Sequence, residues 1–195
     1  MPYVIKKATI GDIKGIASLH KEQFRDHFLG HYPIFIIEKF YESFLDTPLF
    51  FAALRENNVV GFVMGGDSAK LQTCKKNFIK KNLLMILLST ICIPSLYIDA
   101  LYRVKQMKNK PIEKKVQTSS SKSIRLLSIA VSKEMQGTDL ASTLVSTFEQ
   151  HLEGVLQYGL SVKDTNKRAI NFYKKMGFQL EKEENHSFYL IKKLS

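Results

Sequence analysis

Between residues 123 and 178 the spacing of apolar side chains changes period repeatedly, and this stretch restricts the fold more than any other. Residues 123–131 carry Ile124, Leu126, Leu127, Ile129 and Val131 in a run rich in strand formers. Helical period follows over residues 138–152, then a short strand at 159–162 and a helix over 166–176. Gly177 stands where a left-handed C-terminal cap is wanted. A chain that alternates in this way must bury strands under helices.

The rest of the sequence extends the pattern. Residues 3–8 read as a strand, and Thr9 lies three before Asp12, a capping signal for a helix to about Glu22 with Ile13, Ile16, Ala17 and Leu19 inward. A second helix at about 34–45 presents Phe35, Ile36, Phe40 and Phe44. Two β-rich runs, 50–56 and 59–64, flank Asn57-Asn58, which suits a type I′ turn. Runs at 178–182 and 187–192 can close as a last hairpin. The expected fold is therefore α/β (α+β): one domain over 1–195, with an insertion at about 67–122. With 195 residues and 45% apolar content the chain can bury a core without staples. Two cysteines, Cys74 and Cys92, are too few for a disulfide framework, and the N-terminus shows no charged-then-apolar leader. Both point to a cytoplasmic protein.

Two segments carry chemistry. The run from Val131 through Ser132, Gln136, Gly137, Thr138, Asp139, Leu140 and Ala141 to Ser142 takes the chain from a strand through a glycine loop into a helix. Such a loop aims free N–H groups and the positive end of a helix dipole at one point, which suits phosphate. Alone, one glycine before a helix is usually only a turn. In the second segment Asn166, Ala169, Ile170 and Tyr173 share one helical face, with Phe172 and Met176 beside it. Alone, that is an amphipathic helix with core aromatics.

Together, about 25 residues apart, the two segments resemble the GNAT superfamily of acyl-CoA-dependent N-acyltransferases. The first family motif, Gln/Arg-x-x-Gly-x-Gly/Ala, is matched at Gln136, Leu140 and Ala141, with Gly137 at a common extra glycine. The second, Asn-x-x-Ala-x-x-Phe-Tyr-x-x-x-Gly-Phe, is matched at Asn166, Ala169, Phe172, Tyr173, Gly177 and Phe178. The resemblance covers residues 3–66 and 123–193. It implies a GNAT fold: a mixed sheet of about seven strands, helices on both faces, and here a helical insertion between the third and fourth strands. One position departs. Asp139 replaces the middle glycine, so its carboxylate either turns outward as a helix N-terminal residue or repels a bound pyrophosphate.

The resemblance also implies the chemistry. Acetyl-CoA would lie in a slot beside the fourth strand, its pantetheine paired with the backbone of Ile129, Ala130 and Val131. Its pyrophosphate would rest on the N–H groups from Gln136 through Gly137, Thr138, Asp139, Leu140 and Ala141 to Ser142. Asn166 would contact the pantetheine arm, with Phe172 beside it. An amine would attack the thioester directly, a strand N–H would polarise the carbonyl, and Tyr173 would protonate the departing thiolate. No carboxylate lies on the fourth strand to serve as base; Glu22, Asp26, His27 and His31 are the candidates. His27 and His31, at i and i+4, also raise a metal reading, but no third ligand is fixed and none is assigned. The expected acceptor is a small-molecule amine or amino sugar, because a helical insertion resembles members that modify such compounds. The alternative is a non-catalytic CoA-binding or interaction module that docks through its basic insertion.

That insertion holds nearly all of the chain's +11 net charge: residues 67–122 carry eleven Lys and one Arg against Asp67, Asp99 and Glu113. They also carry an uncharged apolar run over 82–98, broken by Pro94 and too short to span a bilayer. Extra helices on the sheet or at a homodimer interface are one reading. A peripheral contact of residues 70–115 with the inner membrane surface is another. With a single Arg among twelve cations, a nucleic-acid partner is not expected.

Overall fold

The computed structural model describes residues 3–25, 27–92 and 123–194. Asp26 and the insertion beyond Cys92 lie outside the described residues. The elements run β1 (Val4–Lys7), α1 (Ile13–Gln23), α2 (Ile34–Glu42), β2 (Leu49–Arg55), β3 (Asn58–Asp67), α3 (Ser68–Cys92), β4 (Ile124–Val131), α4 (Leu140–Gln150), β5 (Gln157–Lys163), α5 (Lys167–Lys175), β6 (Gln179–Glu184) and β7 (Ser187–Lys193). The strands form one seven-stranded sheet in the order β1-β2-β3-β4-β5-β7-β6. Its single parallel pair is β4 with β5.

Alternation along β2 builds both layers. Phe51 and Ala53 pack toward α4 and α5 with Leu144, Phe148 and Ile170. Phe50 and Ala52 pack the other way, against Ile16 of α1 and Ile37 and Tyr41 of α2. Helices thus cover both faces, as the periodicity requires.

Local signals hold with two shifts. Thr9 and Asp12 form the expected capping box, and Gly177 takes a φ of +87° where the helix ends. The first hairpin turns at Glu56-Asn57, one residue earlier than expected. Both have positive φ, and Arg55 pairs with Asn58, so Asn58 opens β3 instead of sitting in the turn. The second shift is in α2, which starts after Pro33 and buries Ile36, Ile37 and Tyr41, leaving Phe35 44% exposed on the outer side.

The insertion opens as helix α3, started by Asp67, whose carboxylate accepts from the N–H groups of Ala69 and Lys70. Leu71 and Phe78 anchor it to the domain, and it kinks at Asn82, where φ is −118° and ψ 16°. None of the described helices is long and apolar enough to cross a membrane.

Two irregularities of β4 position the site. Its ladder with β3 runs from Met64↔Ser128 to Gly65↔Leu126, so Leu127 is an extra, bulged residue. Its pairing with β5 stops after Ile124↔Tyr158 and Arg125↔Gly159. Beyond Arg125 the two strands splay, and the backbone groups of β4 that face β5 have no ladder partner.

Candidate active site

The splay opens a cleft of about 1080 Å³, walled by β4 from Leu126 to Val131, by β5 from Leu160 to Lys163, and by the starts of α4 and α5. Ile129, Ala130 and Val131 line it, so the expected slot beside the fourth strand is present.

One end of the cleft is the loop between β4 and α4. After β4 the chain makes a 3-10 turn (Lys133–Met135), and Gly137 follows with φ +86°, a conformation a side chain resists. Thr138 Oγ1 donates to the Met135 carbonyl at 2.7 Å and accepts from the Leu140 N–H at 3.3 Å. The next N–H groups of α4 belong to its first turn, which has no intrahelical acceptors. Gln136, Gly137, Thr138, Ala141 and Ser142 line the cleft, whereas Asp139 and Leu140 do not. Leu140 is fully buried in the core beneath the loop. The exposed Asp139 serves α4 through its carbonyl, which accepts from Ser142 Oγ at 2.7 Å and Thr143 Oγ1 at 3.0 Å. Its carboxylate makes no cap bond, and Asp139 is not among the residues lining the cleft.

Helix α5 forms the middle of the site. Asn166 caps it, with Oδ1 accepting from the Ala169 N–H at 3.1 Å, and also lines the cleft. Phe172 and Tyr173 line it too, Tyr173 held between Phe172 and Phe178 at ring distances of 5.3 and 5.4 Å. Burial pushes the Tyr173 phenol above its ordinary pKa, so it stays protonated. Gln136 ties the walls together: Nε2 donates to Gln23 Oε1 at 3.1 Å, and Oε1 accepts from Arg168 Nη1 at 2.7 Å.

The far end is lined by the first two helices, α3 and the β4 bulge. His20 Nδ1 lies 2.7 Å from Tyr41 Oη, which lies 3.3 Å from Ser128 Oγ. His20 is 6% exposed, and burial, with His27 adding a smaller like-charge effect, pulls its pKa down to about 4. Lys75 reaches this end from α3, its pKa lowered by burial.

Of the candidate bases, His27 lines the cleft. Glu22 faces a separate surface hollow and lies 3.8 Å from Lys133, and His31 is off the cleft wall; Asp26 lies outside the described residues. His27 has an extended backbone at the start of a 3-10 turn, so His27 and His31 do not share a helical face. Among the described residues no three His, Cys, Asp or Glu side chains cluster closely enough to hold a metal ion. His20, Tyr41, Ser128, Lys75, Arg168 and Gln23 carried no motif. Only the inward period of α1, which puts His20 one turn after Ile16, hinted at any of them.

The Acetyltransferase (GNAT) family matches residues 13–178, most of the chain, and the protein belongs to that family. No curated protein sequence matches it. Among solved structures, an N-acetyltransferase from Staphylococcus aureus Mu50 superposes with a TM-score of 0.65 at 20% identity, covering 96% of this chain and 99% of that one. The PaiA N-acetyltransferase of Thermoplasma acidophilum, in complex with coenzyme A, gives 0.59 at 16% identity with both chains fully covered. A NatC complex bound to a Gag peptide and CoA gives 0.57 at 17% identity, again over the whole of both chains. At such identities these likenesses speak for the fold alone.

Proposed function

We propose that this GNAT-family protein transfers the acetyl group of acetyl-CoA to the primary amine of a small molecule or amino sugar, by direct attack. The observation that carries the reading is the splay of β4 from β5 after Arg125, in one cleft with the α4 loop and Tyr173. The β5-facing backbone groups of β4 between Ile129 and Val131, which have no ladder partner on that side, offer a strand-like edge to the two amides of pantetheine. The N–H groups around Gly137, Ala141 and Ser142, with the dipole of α4 behind them, suit the pyrophosphate. Asp139 stands off the cleft wall and leaves that loop open.

The reaction follows from these positions. The amine enters from the His20–Tyr41–Ser128 end and attacks the thioester carbonyl. An N–H of Ile129 or Ala130 meets the charge that develops on oxygen. Tyr173, kept protonated by its burial, gives its proton to the thiolate. The proton that the nitrogen loses as the amide forms balances the one Tyr173 gives to sulfur, so a neutral amine reacts with no net release and an amine that arrives charged must first be deprotonated.

A test is to incubate the protein with acetyl-CoA and a panel of primary amines: glucosamine, tyramine, glycine, spermidine and a short peptide. Free CoA is read with a thiol reagent and the N-acetyl product by mass spectrometry. The expected outcome is stoichiometric CoA and N-acetylamine with glucosamine or another small amine. Turnover of the peptide alone would move the acceptor class to protein N-termini. Tight acetyl-CoA binding without turnover of any amine would leave the docking-module reading, which the exposed lysines of α3 support.

A further inference from the structure

The far end of the cleft contains three groups whose joint arrangement the reaction above does not use. His20, Tyr41 and Ser128 come from α1, α2 and β4, and their polar atoms form a chain: Nδ1 to Oη at 2.7 Å, and Oη to Oγ at 3.3 Å. Tyr41 has no exposed surface and His20 only 6%, whereas Ser128 is half-buried and opens on the cleft beside the bulge. Ser128 directly precedes Ile129 and Ala130 on the stretch of β4 that lines the cleft.

The direction of this chain can be worked out. A separation of 2.7 Å is short for an N–H donor, whose usual range centres near 2.9–3.0 Å, and ordinary for O–H. A phenol is also a far better donor than a neutral imidazole N–H, and the imidazole nitrogen is the better base. Tyr41 therefore donates to Nδ1. Its oxygen is then free to accept, and the Ser128 hydroxyl donates to it. That direction puts the His20 proton on Nε2, which is buried and has no partner among the described residues. An unpaired buried donor costs free energy and calls for an explanation. Placing the Ser128 proton supplies one. With its hydrogen committed to Tyr41, Ser128 turns only lone pairs toward the cleft. It can receive an N–H of the attacking amine and cannot donate to the nitrogen lone pair that must reach the thioester.

We infer that Ser128 Oγ receives an N–H of the acceptor amine and so aims the nitrogen lone pair at the carbonyl, with Tyr41 and His20 as positioning residues that hold the Ser128 oxygen in its accepting orientation. The inference rests on the N-acyltransferase reading above and adds the acceptor contact to it. Among the described residues, the titratable groups lining this end are His20 itself, His27, Tyr41 and Lys75. His20 works here as a neutral ring, not as the base that takes the proton away.

Two measurements test it on the full-length protein. The first reads the His20 ring by nitrogen-15 NMR without any substrate, assigned by the signals lost in His20→Gln. Should that variant not fold, assignment uses the ring perturbed in Tyr41→Phe. A neutral Nε2–H form from pH 6 to 8 is expected; an Nδ1–H form or a charged ring overturns the inference. The second uses the best-turned-over amine of the panel above. Ser128→Ala should lower kcat/KM for that amine about tenfold, the scale of one lost hydrogen bond. Its acetyl-CoA dissociation constant should stay within about twofold, and Ser128→Thr, which keeps the hydroxyl, should recover most of the loss. Tyr41→Phe, which keeps the ring, should fall with Ser128→Ala, and combining the two should cost little more than either alone. Wild-type kcat/KM in both variants overturns the inference and leaves the enzyme reading standing. No turnover by the wild type with any amine overturns both.

Discussion

Replacing Tyr173 by Phe separates chemistry from structure at the centre of the site. The substitution removes one hydroxyl and keeps the ring, whose contacts with Phe172 and Phe178 at 5.3 and 5.4 Å persist. Stability should therefore change by no more than about 1 kcal/mol. In a chain of this size that is a shift of about 2–4 °C in melting temperature. Acetyl-CoA affinity, measured by calorimetry, should be unchanged. Turnover should fall by about 10²-fold, the scale of lost general-acid help, or about 2.7 kcal/mol of barrier at 1.36 kcal/mol per tenfold. The pH dependence sharpens the test. Burial holds the phenol above its ordinary pKa of 10.0, so Tyr173 keeps its proton throughout the neutral and mildly alkaline range. The wild type should then show no loss of kcat from this group below about pH 10. Wild-type turnover in Tyr173→Phe would refute the proton-donor role, since nothing else in the substitution could compensate for it.

Other consequences are independent of that residue. His20 has a folded pKa of about 4 against an ordinary 6.5, so the unfolded chain takes up its proton first as the pH falls. Stability contributed by the neutral ring should be complete above pH 6.5 and lost progressively between 6.5 and 4, by about 3 kcal/mol, and urea melts at pH 7 and 4.5 should show a loss that His20→Gln reduces. Gly137→Ala forces a side chain into φ +86°, though its Cβ would meet only open space. A cost of about 1–2 kcal/mol in thermal melts is expected, with weaker acetyl-CoA binding from the displaced loop. The peripheral-membrane reading of α3 draws on Leu84, Leu88 and Ile91, 70%, 54% and 72% exposed, alongside Lys76, Lys80 and Lys81. It predicts salt-sensitive co-sedimentation with anionic vesicles that weakens by about 1 kcal/mol per Lys→Gln change; failure to sediment at low salt contradicts it.

Where one element decides its own structure, the sequence was readable. Strand and helix periods placed the elements outside the insertion near their observed bounds, whereas no period marked α3. The Asn166 segment showed its buried tyrosine and its terminal glycine, though not that Asn166 stands before the helix as its cap. The turn at Glu56-Asn57 was misplaced by one residue because the β2–β3 register, not the asparagine pair, chose it. Phe35 was grouped with Ile36, Phe40 and Phe44 because apolar residues occupy most of α2, and only packing says which stripe faces inward. The residues at the loop end of the cleft were legible because they lie in one contiguous run; those at its far end were not. His20 and Tyr41 are 21 residues apart, and Tyr41 and Ser128 are 87 apart, and no local rule joins such positions. The bulge at Leu127 that turns Ser128 toward Tyr41 has no glycine or proline to announce it.

The account's central claim is that the splayed β4–β5 cleft holds acetyl-CoA. Thermal unfolding of the intact protein against rising acetyl-CoA tests it most directly. At 100 times the dissociation constant the ligand should add about 2.7 kcal/mol, a rise of about 5–11 °C, and Gly137→Ala should require more ligand for the same rise. A melting temperature that stays fixed up to millimolar acetyl-CoA would contradict the claim.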